Sequence, residues 1–524
     1  METISTLPGG WVQDAAVLLG GISLSYYLRK RATNGRAGFR QPPSLKGLPI
    51  LGNALDIPLE NCQQEYSKWA KELNSDIISA SALGMNIVVI DTLSIALELM
   101  DKRSSRYSSR PETVMAKDLM GWDYLFAMLP YGERWKERRR MFVQHFRPAD
   151  TSIIRPQEHE FVGRFLVELS RTPDRLFEVI RGSMGGFIIS LAYGIPIKAR
   201  GDPHLNFSEK SVRTLAEVTT PGSNFVDVLP FLKYVPAWLP GAGFQRRARE
   251  LYYMSDKFRS SPFNEAVSSF GTSQARPSFV SVALGAIEEN SVDSENQKQI
   301  IKDTAAMFYG AGTDTIVASI LSWIWVMLKN PQVQARVHEE LDRVLNGRLP
   351  EFEDQDQLPY LMATLMESMR LAPPAAIGVP HRSTEDDVYG DYFIPKDSVI
   401  IPNVWSMLRR EDEYGLDAGR FNPDRFLTPD GQINTNVLDP HIAAFGFGRR
   451  SCPGAHIGRS MVWLAAASLA TVFEWREPLG EDGKPIDQPE DYETGLLYQP
   501  NRFKYELKLR PNAQDVLSEL EAQQ

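Results

Sequence analysis

Residues Phe445 to Gly454 read FGFGRRSCPG. They set Cys452, one of two cysteines in the chain, among glycines and a proline, directly ahead of the apolar run GAHIGRSMVWLAAASLATVF from Gly454 to Phe473. Proline suits the first position of a helix, where its missing N–H would have had no intrahelical partner. The run therefore predicts a buried helix with Cys452 at its N-terminus, where the positive end of the helix dipole favours a thiolate. Gly446, Gly448 and Gly454 let the backbone pass close to a flat ligand with amides free to point at the sulfur. A thiolate built this way can ligate an iron, and thiolate ligation of haem favours O–O cleavage. Phe445 is placed to shield the sulfur, and the planar fork of Arg450 to reach a carboxylate on such a ligand. The alternative is an inert buried thiol, the usual state of a free cysteine; the glycines and Arg450 weigh against it.

Other segments carry polar groups at informative spacings. Ile300 to Lys329 reads as one long helix, apolar around most of its surface and so expected to cross the interior. Gly310, Gly312, Asp314 and Thr315 interrupt it at its centre, and polar groups buried there need partners. Glu367 and Arg370 (ESMR) stand three apart, on one helical face, before Pro373. Trp135 and Arg139 (WKERR) stand four apart, also on one face. The stretches FNPDRF, Phe421 to Phe426, and PHR, with His381 and Arg382, complete the set.

The pattern FxxGxRxCxG resembles the haem-binding loop of the cytochrome P450 monooxygenases, with Phe445, Gly448, Arg450, Cys452 and Gly454 all matching. The other segments follow in that family's order, from the proline-rich stretch at Pro42 to Gly454. YSSRP (Tyr107 to Pro111) and KDLMGWDY (Lys117 to Tyr124) give a flavour similar to the fungal O-methylsterigmatocystin oxidoreductase class of secondary metabolism. The resemblance implies heme b with Cys452 as axial ligand. Trp135, Arg139, Arg382 and Arg450 would reach its propionates, Arg382 being preferred over His381. Phe445 and Gly454 would complete the loop that holds it. Gly312 would leave room for bound oxygen, Thr315 would hydrogen-bond it, and Asp314 would relay protons. Glu367, Arg370 and Arg425 would form a buried triad that fixes the cysteine loop; Asp424 stands where the family more often has Glu.

The chain has 524 residues, 43% hydrophobic, with a formal net charge of −9. That composition supports a large core, and the acidic balance argues against nucleic acid as a partner. Two cysteines, Cys62 and Cys452, exclude a disulfide scaffold and suit a reducing compartment. Trp11 to Tyr27 is mostly apolar and is followed by Arg29, Lys30 and Arg31. A spanning helix needs roughly 20 such residues, and the basic cluster marks the cytosolic side. The expected organisation is a membrane anchor over 1–31, a proline-rich hinge over 32–53, a catalytic domain over 54–512 and a polar tail over 513–524. A second apolar stretch, Phe225 to Phe244, is broken by prolines 230, 236 and 240 and is either core or a membrane-dipping loop. By the resemblance, the protein sits in the endoplasmic reticulum membrane with its body facing the cytosol, which would leave the sequon at Asn206 unmodified.

The implied fold is mainly α with a small β-rich part, strands being expected over 86–91, 388–394 and 398–403, with a hairpin turn at Asp397. The implied function is oxygen insertion into a lipophilic small molecule, a terpenoid above all, with electrons from NADPH through an FAD/FMN reductase. That acidic partner would dock on a basic face of Lys136, Arg138, Arg140 and Arg449. Substrate contacts are expected from 113–128, from Met307, Phe308 and Ala311, from Ala376, Ile377 and Val379, and from Leu496 and Leu497. Two other readings stay open: a haem-thiolate isomerase or dehydratase needing no reductase, and a non-catalytic haem-binding protein.

Overall fold

The computed structural model describes residues 39–523 apart from 199–200, 220–222, 273–275, 288–292, 494, 496 and 512. The expected anchor over 1–31 lies outside the described residues, as does the hinge before Phe39. The elements that position the site are, in chain order, α1 (Cys62–Glu72), β1 (Ile77–Ala82), β2 (Met85–Ile90), α2 (Glu133–His145), α3 (Arg155–Arg171), α4 (Leu176–Tyr193), α5 (Pro203–Thr219), α6 (Gly243–Ser269), α7 (Ser294–Lys329), α8 (Pro331–Leu345) and α9 (Pro359–Leu371). They continue with β3 (His381–Arg382), β4 (Asp387–Tyr389), β5 (Tyr392–Ile394), β6 (Val399–Pro402), α10 (Ala455–Val472), β7 (Phe473–Arg476), β8 (Tyr492–Glu493), β9 (Gln499–Pro500), β10 (Glu506–Leu509) and α11 (Ala513–Gln523).

Helix α7, 36 residues long, is the axis of the molecule and packs against α2, α4, α6, α9 and α10. Both α4 and α7 are long and apolar enough to cross a membrane, but 72% and 78% of their apolar windows are buried in the protein, which marks them as core helices. Two polar side chains of α7 tie it to its neighbours. The carboxylate of Asp303 takes Arg138 of α2 at 2.7 Å and Arg259 of α6 at 2.5 Å, and Trp323 Nε1 donates to Thr364 Oγ1 of α9 at 3.0 Å. Arg138 is therefore a buried bridge and takes no part in the basic surface expected of it; Lys136, Arg140 and Arg449 remain outside.

The main sheet runs β1-β2-β6-β3, with β1 and β2 antiparallel (Ile77 opposite Ile90) and β2 and β6 parallel (Ile87 opposite Val399). The strand expected over 388–394 is instead a hairpin: β4 and β5 pair Tyr389 with Tyr392 across a turn in which Gly390 has φ +55°. Asp397 does turn the chain, at φ +65°, but β5 and β6 do not pair. Its N–H donates to Ser383 and sends β6 onto β2. The proline-rich stretch lies on the sheet, where Ser79 N–H and Oγ donate to Pro43 and Pro42 at 2.7 and 2.6 Å.

Two terminal or connecting segments differ in character from their sequence. The tail expected over 513–524 forms α11, an amphipathic helix that buries Ala513, Val516 and Leu517 and sets Leu520 against Gly163 of α3. The segment 225–238 buries Val226 in the core, packs Leu232 against it, and presents Phe225, Phe231, Tyr234 and Trp238 to the outside, each more than 60% exposed.

One buried acid joins the helix behind the cysteine loop to its neighbour. Glu158 of α3 is fully buried, takes the Ser460 hydroxyl of α10 on one oxygen, and has no partner for the other among the described residues. Burial pushes its carboxyl up to about 7, against about 4.3 in an unfolded chain. Between those values the folded protein holds the extra proton, so this group's stabilising contribution is lost as pH rises through the window. Glu158→Gln should flatten that slope and stabilise the protein at pH 8 by about 1–3 kcal/mol, with little difference at pH 4, as read by urea denaturation at the two pH values.

Candidate active site

A cavity of about 340 Å³ lies between the cysteine loop on one side and α7 on the other. The loop closes by a hydrogen bond from Cys452 N–H to Phe445 O at 2.7 Å. Gly448, at φ +52°, passes so close to the backbone of Met100 that any side chain there would collide. Helix α10 starts at Ala455, with Gly454 as its cap. Cys452 keeps accessible surface, although protein encloses it almost completely, so that surface opens onto the cavity. Burial pushes its thiol up, while the Gly454 N–H and Arg139 pull the other way.

The cavity wall carries an unusual charge arrangement. Arg110 donates to the carbonyls of Ala127, Val379 and Pro380 at 2.9, 2.6 and 2.9 Å. Arg450 donates to those of Ser108, Phe126 and Leu129 at 2.7, 3.3 and 2.7 Å. Arg139 donates to Ser451 O at 2.8 Å. None of the three has a carboxylate partner among the described residues. Burial and mutual repulsion hold Arg110 well below its ordinary pKa and Arg450 at about 9, and burial lowers Arg139. Buried charges are normally paired, so a cavity lined by these three desolvated guanidiniums, besides the exposed Arg459, and by a cysteine fits a ligand that brings carboxylates and a thiophilic metal. Trp135 lies under two of them, its ring 4.5 Å from Arg450 and 5.5 Å from Arg139.

His381 also lines the cavity, its Nδ1 donating to Tyr107 O at 2.6 Å. Burial and the nearby Arg110 and Arg450 hold it neutral, well below the usual histidine range; protonation of its second nitrogen becomes favourable only beside an anion. Arg382, the residue preferred from sequence, is not on the wall. It points to Glu112 and Asp397, 3.5 and 3.7 Å away. Successive strand residues face opposite sides, and β3 turns the histidine inward.

Across the cavity, Thr315 lines the wall and its hydroxyl donates to Ala311 O at 2.9 Å, leaving its lone pairs free to accept. Asp314 is not on the wall: it faces α4 and pairs with Arg181 at 2.5 Å. A side chain at Gly312 would sit 2.7 Å from Ile188 of α4. Its absence thus serves the close packing of two helices as well as the cavity, which both residues line.

Met307, Phe308, Ala311 and Val379 line the cavity, joined by Phe126 and Ala127 from the 113–128 segment. Ala376 and Ile377 do not; they are buried in separate clusters, beside Tyr498 and Ile401 respectively, and Ala375 and Gly378 take the wall. Leu497 is half-buried away from the wall, and Leu496 lies outside the described residues. Sequence reasoning missed Arg110 and Ile188 and ranked His381 behind Arg382. For Arg110 the available signal was an arginine before a proline with no acid at helical spacing.

The buried triad is complete. Glu367 takes Arg370 at 2.6 and 2.8 Å, Arg425 at 3.1 Å and the Asn422 N–H at 2.9 Å. Arg370 reaches on to the carbonyls of Leu408, Ala418 and Arg420. Helix α9, which carries the pair, packs on the turn His441–Ala444 that leads into the cysteine loop. Asp424 makes a separate bidentate pair with Arg336 of α8 at 2.8 and 2.7 Å.

A thiol in a closed loop, unpaired guanidiniums and a facing helix with a cavity-side threonine define the haem-thiolate class. Residues 42–507 match the family model for cytochrome P450. The chain is 39% identical over 477 residues to cytochrome P450 monooxygenase ple1 of Rhodocybe pseudopiperita, covering 91% of each. It is 37% identical to tryptamine 4-monooxygenase of Psilocybe cyanescens, covering 91% of this chain and 94% of that one. It is 36% identical to cytochrome P450 monooxygenase eriA of Hericium erinaceus, covering 91% and 90%. The chain belongs to the cytochrome P450 family and is a monooxygenase of that family's fungal kind, which implies haem held by a cysteine thiolate.

Removing the shared acid of the triad leaves Arg370 buried without a carboxylate and Arg425 with Asp417 alone, 2.9 Å away. Glu367→Ala should cost about 3–5 kcal/mol and release haem, read by urea denaturation and by haem content after purification.

Proposed function

We propose that this enzyme oxidises a neutral, lipophilic secondary metabolite, a terpenoid of sesquiterpenoid-like size, with NADPH-derived electrons delivered by a flavoprotein reductase. The observation that carries the reading is the division of the cavity wall: cations and Cys452 lie on the cofactor side, and apolar side chains face them. No Asp or Glu lines the cavity among the described residues. A protonated amine would lose its hydration there without a carboxylate to replace it. The apolar Ile188, Met307, Ile316 and Val379 suit a hydrocarbon skeleton.

The chain's own residues divide the work. Cys452 would ligate the iron, while Arg110, Arg139, Arg450, Trp135 and His381 would hold the propionates. When bound, the haem supplies the iron centre at which dioxygen is activated. The Thr315 hydroxyl would hold a proton at the cavity edge, with Asp314 replenishing it from the Arg181 side. Phe126, Phe308 and Ile188 would exclude water from the reacting carbon. Lys136, Arg140 and Arg449 form the exposed basic surface that would receive an acidic reductase. Phe225, Phe231, Tyr234 and Trp238 would seat the body on the endoplasmic reticulum membrane.

Two measurements test this. Reduced protein under CO should show the long-wavelength Soret band of thiolate ligation, and Cys452→His should lose it; a folded parent protein without that band would sink the cofactor assignment. Co-expression with a reductase and a panel of terpene skeletons, read by mass spectrometry, should yield an oxygenated product, while protonated tryptamine should give no substrate-binding spectrum. With the product in hand, Thr315→Ala should cut product formed per NADPH oxidised by about tenfold or more at unchanged haem content. Thr315→Ser should retain most of the coupling.

A further inference from the structure

We propose that Trp405 is a specificity-determining positioning residue: it backs the strip 374–379 from outside the cavity and sets how far the wall residues of that strip reach in. The proposal rests on that cavity being the haem and substrate chamber.

Between the end of α9 at Leu371 and the start of β3 at His381 the chain runs outside any helix or strand. Pro373 and Pro374 have no N–H to give, and the strip is held by its carbonyls. Tyr498 N–H donates to Pro374 O and Trp405 N–H to Ala376 O, each at 2.8 Å. Further on, Arg110 donates to Val379 O and Pro380 O from the cofactor side. A turn closed by Gly378 N–H on Ala375 O at 2.9 Å, with Gly378 at φ +58°, divides the strip's side chains between two sides. Pro374, Ala375, Gly378 and Val379 line the cavity, while Ala376 packs behind it.

Behind Ala376 lies an aromatic layer. Ala376 is 2% exposed and clusters with Ala372 and Tyr498, with Trp405 and Tyr492 packed against them. The Tyr492 and Tyr498 rings stack at 4.4 Å. Trp405 is fixed from two directions. Its N–H holds the strip, and its carbonyl accepts from Arg409 at 3.4 Å. The Arg409 guanidinium lies 4.0 Å from the indole ring, within cation–π range, and also donates to Leu371 O at the end of α9. The indole is thus clamped between α9 and the strip, and is not itself on the cavity wall. Close-packed interiors pass a change of volume to their neighbours. Here the neighbour is a strip with open space on its far side, so a change of bulk at Trp405 or Ala376 moves the wall.

The test is equilibrium titration of two azoles, whose nitrogen shifts the haem spectrum on ligation, into the haem-loaded full chain: bulky clotrimazole and small imidazole. Trp405→Phe keeps the N–H to Ala376 O, removes bulk behind the strip, and should tighten clotrimazole about fivefold. Ala376→Val adds bulk on the same side and should weaken it about fivefold or more. Imidazole should bind both variants as it binds the parent. The double variant should return clotrimazole toward the parent affinity, a compensation of size that a damaged fold would not produce. Trp405→Tyr, a smaller step in the same direction, keeps the test open if Trp405→Phe does not fold. Single variants that shift clotrimazole in the same direction, equal effects on both azoles, or none on either would overturn the role of Trp405 while leaving the haem assignment standing. A parent protein with no azole spectrum would overturn the haem assignment, and the role of Trp405 with it.

Discussion

Three guanidinium groups are desolvated around one cavity with no acid among them, and the folding of the site follows from how that charge is tolerated. Among the described residues, Arg110 and Arg450 donate to backbone carbonyls alone, and the chain turns six of them toward the pair. The paths of residues 108–129 and 379–380 are set by that requirement. Carbonyl dipoles satisfy the donors without neutralising the charge, and like charges around a low-dielectric space repel strongly. The protein alone is thus electrostatically incomplete, and on the proposed reading the carboxylates of the haem would complete it. On that reading, retention of the cofactor and shaping of the distal wall would be one problem, because the same loops would do both.

The Glu367 triad shows the opposite solution. There a carboxylate is shared between Arg370 and Arg425, Asp417 supplies Arg425 with a second, and the remaining Arg370 donors run to the carbonyls of three more residues. Such a network gains little over an apolar core in stability alone. Its geometry fixes where α9 lies, and through α9 the turn that leads into the cysteine loop.

Much of this was legible in the chain because the informative residues are close in sequence. The cysteine loop, the Glu367–Arg370 pair and the Trp135–Arg139 pair each sit on one turn or one helical face, where spacing dictates proximity. What failed is the choice between neighbours. His381 takes the cavity wall and Arg382 the outer side because strand residues alternate sides, and only the pairing of β3 with β6 decides which side is inward. Ala376 and Ile377 lose the wall to Ala375 and Gly378 for a similar reason, a loop whose twist is set by its partners. Asp314 and Thr315 are adjacent, yet about 100° of helical rotation sends one to Arg181 and the other to the cavity. Arg110 was hidden because its partners are carbonyls, which every residue has.

That last property has a consequence for how such an enzyme changes. A carbonyl is indifferent to the side chain beside it. Phe126, Ala127 and Val379 lend their carbonyls to the cradle while their side chains face the chamber. Mutational drift at these positions can resculpt the chamber while the groups that grip the arginines stay the same. On the proposed reading, cofactor retention and substrate choice would be written on the same residues in separable parts, backbone for one and side chain for the other. A lineage of such proteins can diversify its chemistry without first losing its haem.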